Sequence, residues 1–573
     1  MKINWKHTLV MFILSVSLVI PSAAFHVAAD EKYASTTTVK SYPLTSDIKV
    51  EVKSVLNETT SEGGRIGTVV RLYNDGDRLT GVPEYEVRAK TQDGLEYILR
   101  PSQANPKNIQ PKETVELSYM TVIERYDVFS LIELSFYDVD EFVYPKQEKK
   151  IISLPISDIE WKGEKAVLTD PSTMKTWEDK FTLPVLSTTL TYKPVSLAEQ
   201  NTPDGPMTIV TLLVTNTGDK KTVIPDFRIN GKSENKIYSG KRIEKDPITL
   251  ELGEENYIHY AIPIRNKMDL KSLSVLTPED FVGEDNKHTE YLIGRLTITP
   301  PGANNVRFFM NQLSQYEWSK PIQIDPLTKL IRPDISISMV DLRVYESAGG
   351  GFKAAVAKFK LLNKSESPLQ VPEFQTVLTS ISGNKYQGTR QNTQVKTLIP
   401  NISYVIYYSF IIPNAETGEQ LAMEITDGKS VEPYNLPLAA FKTKVMDETD
   451  DKDAAFYPFQ VTLNDWAKST NYTMGQGSMP YSYKMNLDFG IKLQDEIVVD
   501  QSFSKMRVEF ADTNNRIMAS KELSFTGDNK LVSGVQTIEF NSDRFETTIY
   551  LRMYEIIDTP FGEARRLVQT VKR

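Results

Sequence analysis

Cysteine is absent from all 573 residues, which excludes disulfides, thiolate metal sites, cysteine nucleophiles and a lipid-modified N-terminal cysteine. Stability must come from burial alone, and the chain is long enough for about three to five domains of ordinary size. Histidine is nearly as scarce, with four in total. Beyond the first thirty residues only His259 and His288 remain, the first inside an apolar segment between Tyr257 and Tyr260, the second in a polar one. There is no His-x-x-x-His pair and no Gly-x-Ser-x-Gly elbow, so neither a histidine-built metal site nor a serine nucleophile with a histidine base has local support. Carboxylate pairs for glycoside hydrolysis need no fixed spacing, and the 75 acidic residues single out none. Nor is there a block of one charge sign: 66 basic residues are interspersed with the 75 acidic ones, which argues against nucleic acid as a partner, since phosphate binding relies on clustered Lys and Arg.

Long apolar runs are missing except near the N-terminus. There Lys2 and Lys6 precede the apolar run Leu9 to Ile20, and small residues follow. This is the pattern of a secretory signal peptide over 1–29, with cleavage expected after Ala24 or after Ala29. The run is shorter than the roughly 18 apolar residues of a membrane span, so no transmembrane segment is expected after signal removal. Loss of Lys2 and Lys6 takes the formal charge from −9 to −11 (−9 − 2), because 1–29 contains no Asp or Glu.

The rest of the chain repeats itself. Three blocks align on a proline: Val82-Pro83-Glu84-Tyr85, Ile224-Pro225-Asp226-Phe227 and Val371-Pro372-Glu373-Phe374. Nine residues before each proline stands Asn74, Asn216 or Asn363, and the positions two and four residues before the asparagine are apolar: Leu72 and Val70, Val214 and Leu212, Leu361 and Phe359. Alternation with period two predicts a strand with one buried face that ends at the asparagine. Asp93-Gly94 and Ser382-Gly383 follow their prolines at a common offset and read as hairpin turns. The prolines are 142 and 147 residues apart, a domain plus a connector. A diverged fourth unit begins near Tyr457-Pro458, with Met506, Val508 and Phe510 as a strand and Asn514-Asn515 as its turn.

The segment Leu212 to Asp219, an alternating strand running into Asn-Thr-Gly-Asp, resembles the immunoglobulin-like domains of secreted and surface proteins of Gram-positive type, as does Leu72 to Asp77; Asn363-Lys364-Ser365-Glu366 departs from the pattern. Short strands with frequent turn signals and almost no helical period point the same way. The expected fold is all-β: tandem β-sandwiches over 43–155, 183–300, 331–445 and 456–573, joined by connectors 156–182 and 301–330 and an acidic hinge at 446–455. The connectors carry Trp161, Trp177, Phe308, Phe309, Tyr316 and Trp318, groups that seek burial, so they are expected to pack on their domains, with a helical turn or two in Val306 to Trp318.

Candidate sites are few. Asn74, Asn216 and Asn363, with Pro83, Pro225 and Pro372, are structural repeat positions; a repeated asparagine at a strand end most simply fixes a turn, the other reading being three equivalent ligand sites. Tyr472, Tyr481 and Tyr483 lie in a Gly, Ser and Met-rich stretch that either presents flat faces to a sugar or protein or is a loop with half-buried rings. No cofactor is expected; a structural calcium, at Asp75 with Asp77, at Asp138, Asp140 and Glu141, or within Asp447 to Asp453, would need oxygen ligands that follow no recognised loop spacing here. The expected function is a secreted, non-enzymatic interaction or scaffold protein, extracellular or loosely associated with the cell surface, that meets an extracellular protein. The rivals are a cell-wall or polysaccharide binding protein and a glycan hydrolase with accessory domains.

Overall fold

The computed structural model describes residues 40–166, 170–265, 269–301, 310–347, 350–447, 453–472, 480–494 and 497–572; the expected signal peptide lies outside them. The fold is all-β and multi-domain, and apolar alternation dictates its elements. The first sandwich runs through β1 (Ile48–Thr60), β2 (Gly63–Asn74), β3 (Glu86–Thr91), β4 (Glu96–Pro101), β5 (Thr114–Ile123), β6 (Leu131–Asp140) and β7 (Gln147–Pro155). One layer is β1–β2–β5, the other β3–β6–β7, and β4 pairs with both β3 and β5.

The same order recurs. The second sandwich contains β8 (Ser187–Thr202), β9 (Gly205–Asn216), β10 (Arg228–Lys232), β11 (Ile237–Tyr238), β12 (Glu255–Ile262), β13 (Ser272–Val282) and β14 (His288–Ile298). The third has β15 (Ile335–Ser347), β16 (Phe352–Asn363), β17 (Gln375–Ser380), β18 (Lys385–Gln387), β19 (Ser403–Pro413), β20 (Leu421–Asp427) and β21 (Leu436–Thr443). The fourth has β22 (Phe459–Tyr472), β23 (Tyr481–Leu493), β24 (Lys505–Ala511), β25 (Ile517–Ser524), β26 (Gly534–Ser542), β27 (Tyr550–Thr559) and β28 (Gly562–Lys572). In every case the first, second and fifth strands make the outer layer, and the third, sixth and seventh the other.

Each sandwich encloses its own apolar cluster. In the second, Tyr192 meets Phe227 edge-on at 5.2 Å and Phe227 lies 5.3 Å from Tyr260; in the third, Phe359 meets Phe374 at 5.8 Å and Tyr408 at 5.7 Å. Phe227 and Phe374 are the aromatic residues two places after the aligned prolines. A buried aliphatic side chain in such a cluster contributes about 1.5–3 kcal/mol.

Asn74, Asn216 and Asn363 are fully buried, and their hydrogen bonds are the same. The Asn216 amide donates to the carbonyls of Lys220 (2.8 Å) and Leu250 (3.1 Å), and its side-chain oxygen accepts from the backbone N–H of Gly218 (3.0 Å). Asn74 does this with Arg78, Ile109 and Gly76, and Asn363 with Ser367, Leu398 and Ser365. Each asparagine thus supplies, from a fully buried position, partners that the loop backbone lacks. The residue before each aligned proline donates its N–H across the same loop, Val82 to Lys107, Ile224 to Ile248 and Val371 to Lys396. Proline next to it has no N–H to satisfy, and the carbonyls of Pro225 and Pro372 accept from Arg242 and Arg390.

The fourth sandwich lacks this device. Leu493, 46% exposed, holds the register position of the asparagines, pairing with Phe459 as Asn363 pairs with Ile335. Its following loop instead sends Ile497–Val499 to pair in parallel with Ser403–Val405 of β19. One feature unites all four: the first strand carries a one-residue bulge at a common register, at Lys53, Val195, Val340 and Asn464. Such an insertion bends the strand and re-aims its side chains.

The connectors do pack: Trp161 is buried, Trp177 lies against the second core, and Tyr316 and Trp318 against the third. Of the helical turn expected in Val306 to Trp318, Met310 to Gln312 are helical and Leu313 to Trp318 are not, Gln315 instead forming a bridge with Lys442, while the stretch 306–309, with Phe308 and Phe309, lies outside the described residues. The acidic hinge is shorter than the sequence suggests, because Asp453–Phe456 pairs with β22 and Ala454 is buried in the fourth core; 448–452 lie outside the described residues.

Replacing Asn216 by Ala removes the side-chain partner of the Leu250 carbonyl and of the Gly218 N–H and leaves the Lys220 carbonyl with the Thr222 hydroxyl. We expect a loss of about 3 kcal/mol for the second sandwich, read from its urea unfolding midpoint; a shift below about 0.5 kcal/mol would mean that the loop finds other partners.

Candidate functional site

The outer faces of these sandwiches, not their loops, hold the chemistry. At each junction the sixth and seventh strands of one sandwich cross the outer face of the preceding one near its bulge. At the first junction Leu56, Met120 and Trp161 pack with Leu276, Tyr291 and Ile293. Gly294 lies so close beneath Trp161 that a Cβ there would stand 2.4 Å from the indole ring. Among these apolar groups Glu279, on β13, accepts from the bulge residue Lys53 at 3.0 Å and pairs with Arg295 at 3.4 Å. The hairpin is pinned further by Val282, whose N–H donates to the Ser102 hydroxyl at 2.9 Å.

The third junction repeats the plan more tightly. Tyr345, Val356, Tyr407, Phe503 and Ile557 form a shared cluster, and β15 pairs directly with β28 through Glu346–Arg565 and Ser347–Ala564, so that one sheet runs through two sandwiches. At its centre Glu555 and Lys358 are both fully shielded from solvent, 2.7 Å apart. Arg566 meets the other Glu555 oxygen at 2.8 Å, as does the Tyr345 hydroxyl, and Asp341 stands 3.3 Å from Lys358. Burial opposes ionisation of Glu555, but the Lys358 and Arg566 cations outweigh it and hold its carboxyl at about 2. For Glu279 the balance reverses: burial raises its carboxyl and Lys53 and Arg295 only partly offset this, while burial brings Arg295 down to about 10.

The middle junction uses the same faces and does not close. Among the described residues no buried apolar cluster spans it. The contacts are polar: the Asn435 N–H donates to Gln200 at 2.9 Å, the Gln200 amide to the Asn435 carbonyl, and the Tyr257 hydroxyl to Asp325 at 2.9 Å. Between the walls lies a cleft of about 850 Å³, lined by Thr211, Tyr257 and His259 of the second sandwich and by Asp325, Asp427 and Pro437 opposite. His259 Nδ1 is 2.6 Å from Glu244. Burial works to raise the Glu244 carboxyl, yet its contacts with His259 hold it below the ordinary value. Polar walls of mixed charge suit a hydrated, hydrogen-bonding guest better than an apolar one.

The remaining candidates fall elsewhere. The asparagines and prolines sit inside the loops that they organise. Of the three tyrosines, Tyr472 is exposed and lies 5.3 Å from Tyr481, which in turn lies 5.8 Å from Phe545. Tyr483 is corrected: it is fully buried, stacks on Phe540 and donates its hydroxyl to the Arg544 carbonyl, because its place in the alternation of β23 points it inward. Asp75 and Asp77 are met by Lys49 (2.7 Å) and Lys112 (3.2 Å), and among the described residues no three acidic or histidine groups converge to hold a metal ion. The sequence reading missed Lys53, Glu279, Lys358, Glu555 and Arg566; Lys358 alternates with the core residues Ala357 and Phe359 and so reads as an outward, solvated lysine, like any other on such a strand. No helix among the described residues is long and apolar enough to cross a membrane.

No protein-family model matches the sequence, and no curated protein does. Among solved structures the chain is similar to a protein of unknown function from Porphyromonas gingivalis W83, at 14% identity over 45% of this chain and 100% of that one, with a TM-score of 0.14. It is also similar to dimeric latent PorU from Porphyromonas gingivalis (10% identity, 67% of this chain, 34% of that one, TM-score 0.13). A third is a 1.5-MDa bacterial ice-binding adhesin, at 8% identity over 71% of this chain and 98% of that one, with a TM-score of 0.12. At this depth of likeness, function has to be argued from the chain itself.

The two glutamates give the junctions opposite responses to acid. Glu555, with a lowered folded value, stabilises the third junction above its unfolded value and loses that contribution as pH falls through about 2. Glu279, with a raised one, favours the first junction below its unfolded value and loses that contribution as pH rises through the folded one. Hydrogen exchange followed from pH 5 down to about 2 should therefore deprotect β27 and β28 before β13 and β14; simultaneous loss, or the reverse order, contradicts it. At neutral pH Lys358→Ala, which strands a buried carboxylate, should cost about 3–5 kcal/mol by chemical denaturation.

Proposed function

We propose that the chain is a secreted interaction or scaffold protein without catalytic activity, built of four immunoglobulin-like sandwiches spanning 43–155, 183–300, 331–445 and 456–573, and acting outside the cell or loosely at its surface on an extracellular protein. The observation that carries this is the pair of closed junctions: ion clusters buried between apolar groups are costly to desolvate and are tolerated only in good geometry, so they select one orientation between neighbours. The result is two stiff pairs, first with second and third with fourth, meeting at a hydrated cleft. A scaffold needs fixed spacing with one adjustable joint, and that is the arrangement these contacts favour.

The cysteine-free background makes the test clean. Single cysteines at exposed Asp77, Glu234, Glu366 and Lys530, spin-labelled in pairs, report the three junctions. Narrow distance distributions are expected for 77–234 and 366–530 and a broader one for 234–366; broad distributions at both closed junctions would remove the basis for a scaffold, and robust turnover in a glycan and peptide hydrolysis screen would replace it with an enzyme. The cell-wall reading is favoured by one observation, the exposed Tyr472 ring beside Tyr481, since flat aromatic faces suit sugar rings. Retention of Tyr472→Ser on isolated walls at the level of the unaltered protein would dispose of that role.

A further inference from the structure

The hairpin that reaches the middle joint is shorter than the two that close theirs. Strands β13 and β14 have 11 residues each and β27 and β28 have 10 and 11, but β20 and β21 have 7 and 8. This hairpin meets the second sandwich through Asn435 at Gln200, and the face around the bulge at Val195 lines the cleft instead of a contact. Register identifies what that face presents. Thr211 pairs with Ser196, the first residue after the bulge, and on its other side with His259, just as Lys358 pairs with Asp341 and Tyr407. Where the third joint places a cation to meet the arriving Glu555, the second sandwich places a hydroxyl and an imidazole.

Thr211 and His259 are each 5% exposed, and both line the cleft. Among the described residues neither the Thr211 hydroxyl nor His259 Nε2 has a hydrogen-bond partner. Glu244, 2.6 Å from Nδ1, holds the ring proton there, so Nε2 of the neutral ring presents a lone pair. The hydroxyl can accept as well, and the deep end of the cleft therefore calls for a donor. Its walls call for a positive one, because six carboxylates line the cleft against two lysines. Arg242 meets one of the six, Glu244, at 3.5 Å. Among the described residues Asp246, Glu254, Asp325, Asp427 and Glu432 form no ion pair, and neither do Lys245 and Lys329. Walls with such an excess repel an anionic guest and draw in a cationic one.

We propose that this cleft is where the chain holds its partner, an extended lysine- or arginine-bearing segment of another protein, with one cation seated at Thr211 and His259 and its neighbours against Asp246 and Glu432. The proposal rests on the interaction-protein reading above and names the site and the charge of the partner. Asp246 belongs to the second sandwich and Glu432 to the third, so a bound segment also ties the two stiff pairs together.

The probe is acetylated, amidated tetralysine, titrated calorimetrically into the purified protein at about 50 mM salt, where exposed charges are only partly screened. It should bind, and tetraglutamate should not. D246N/E432Q changes two exposed side chains without altering their shape, and H259F keeps a ring but removes the acceptor; each should weaken tetralysine about tenfold or more. With tetralysine bound, the 234–366 spin-label distribution should narrow while 77–234 stays as it was. Tetralysine that fails to bind, that binds no better than tetraglutamate, or that keeps its affinity in either variant overturns the proposal, and binding of chitotetraose in its place would give the cleft to sugar. The two readings fail separately: narrow distances at both closed joints with no tetralysine bound would leave the scaffold and remove this site, whereas broad ones with tetralysine bound would do the reverse.

Discussion

A carboxylate cut off from water persists in a protein only where cations reach it, and at two of the three joints that condition fixes how one sandwich sits on the next. Glu555 between Lys358 and Arg566, and Glu279 between Lys53 and Arg295, draw their partners from both sides of the joint. Apolar packing alone would tolerate a slide of one sheet over another; a buried charge tolerates none, because any displacement strands it. The net contribution of such a cluster to stability is small or negative beside well-packed apolar groups. What it contributes is choice of orientation.

Much of the architecture was legible in the sequence, for a physical reason. Strand alternation is a local property, and Val70, Leu72 and Asn74 announce a buried face and its end without reference to anything distant. The turns at Asp93-Gly94 and Ser382-Gly383 were equally local: Gly94 and Gly383 adopt φ of 89° and 93°, which glycine alone takes without strain. Asn514-Asn515, proposed for the fourth unit on weaker grounds, also forms its hairpin, with Asn515 at φ 63°.

The joints were not legible, since their chemistry is assembled from residues about two hundred positions apart, as Lys358 and Glu555 are. Composition counts such groups among the interspersed charges of a soluble surface. Tyr483 was misjudged for a related reason: Tyr481 and Tyr483 are two apart on β23 and Tyr472 pairs with Tyr481, so the three share the core-facing side, and what differs is depth along the sandwich, which leaves Tyr472 exposed at its end and Tyr483 fully buried. The short hinge was misjudged because acidic residues outweigh Ala454 in composition but not in position.

The bulge in each first strand has the widest reach of any single residue here. Against β2, Val52 faces Val70, Ser54 faces Val69 and Val55 faces Thr68, so the inserted Lys53 stands beside Ser54 on the outer side and the alternation before and after it stays in phase. Removing it would leave Val50 and Val55 in the core and Leu56 at the joint, and would take away the cation that reaches Glu279 from the first sandwich. The extra residue is thus dispensable to the sheet that contains it and indispensable to the neighbour that leans on it.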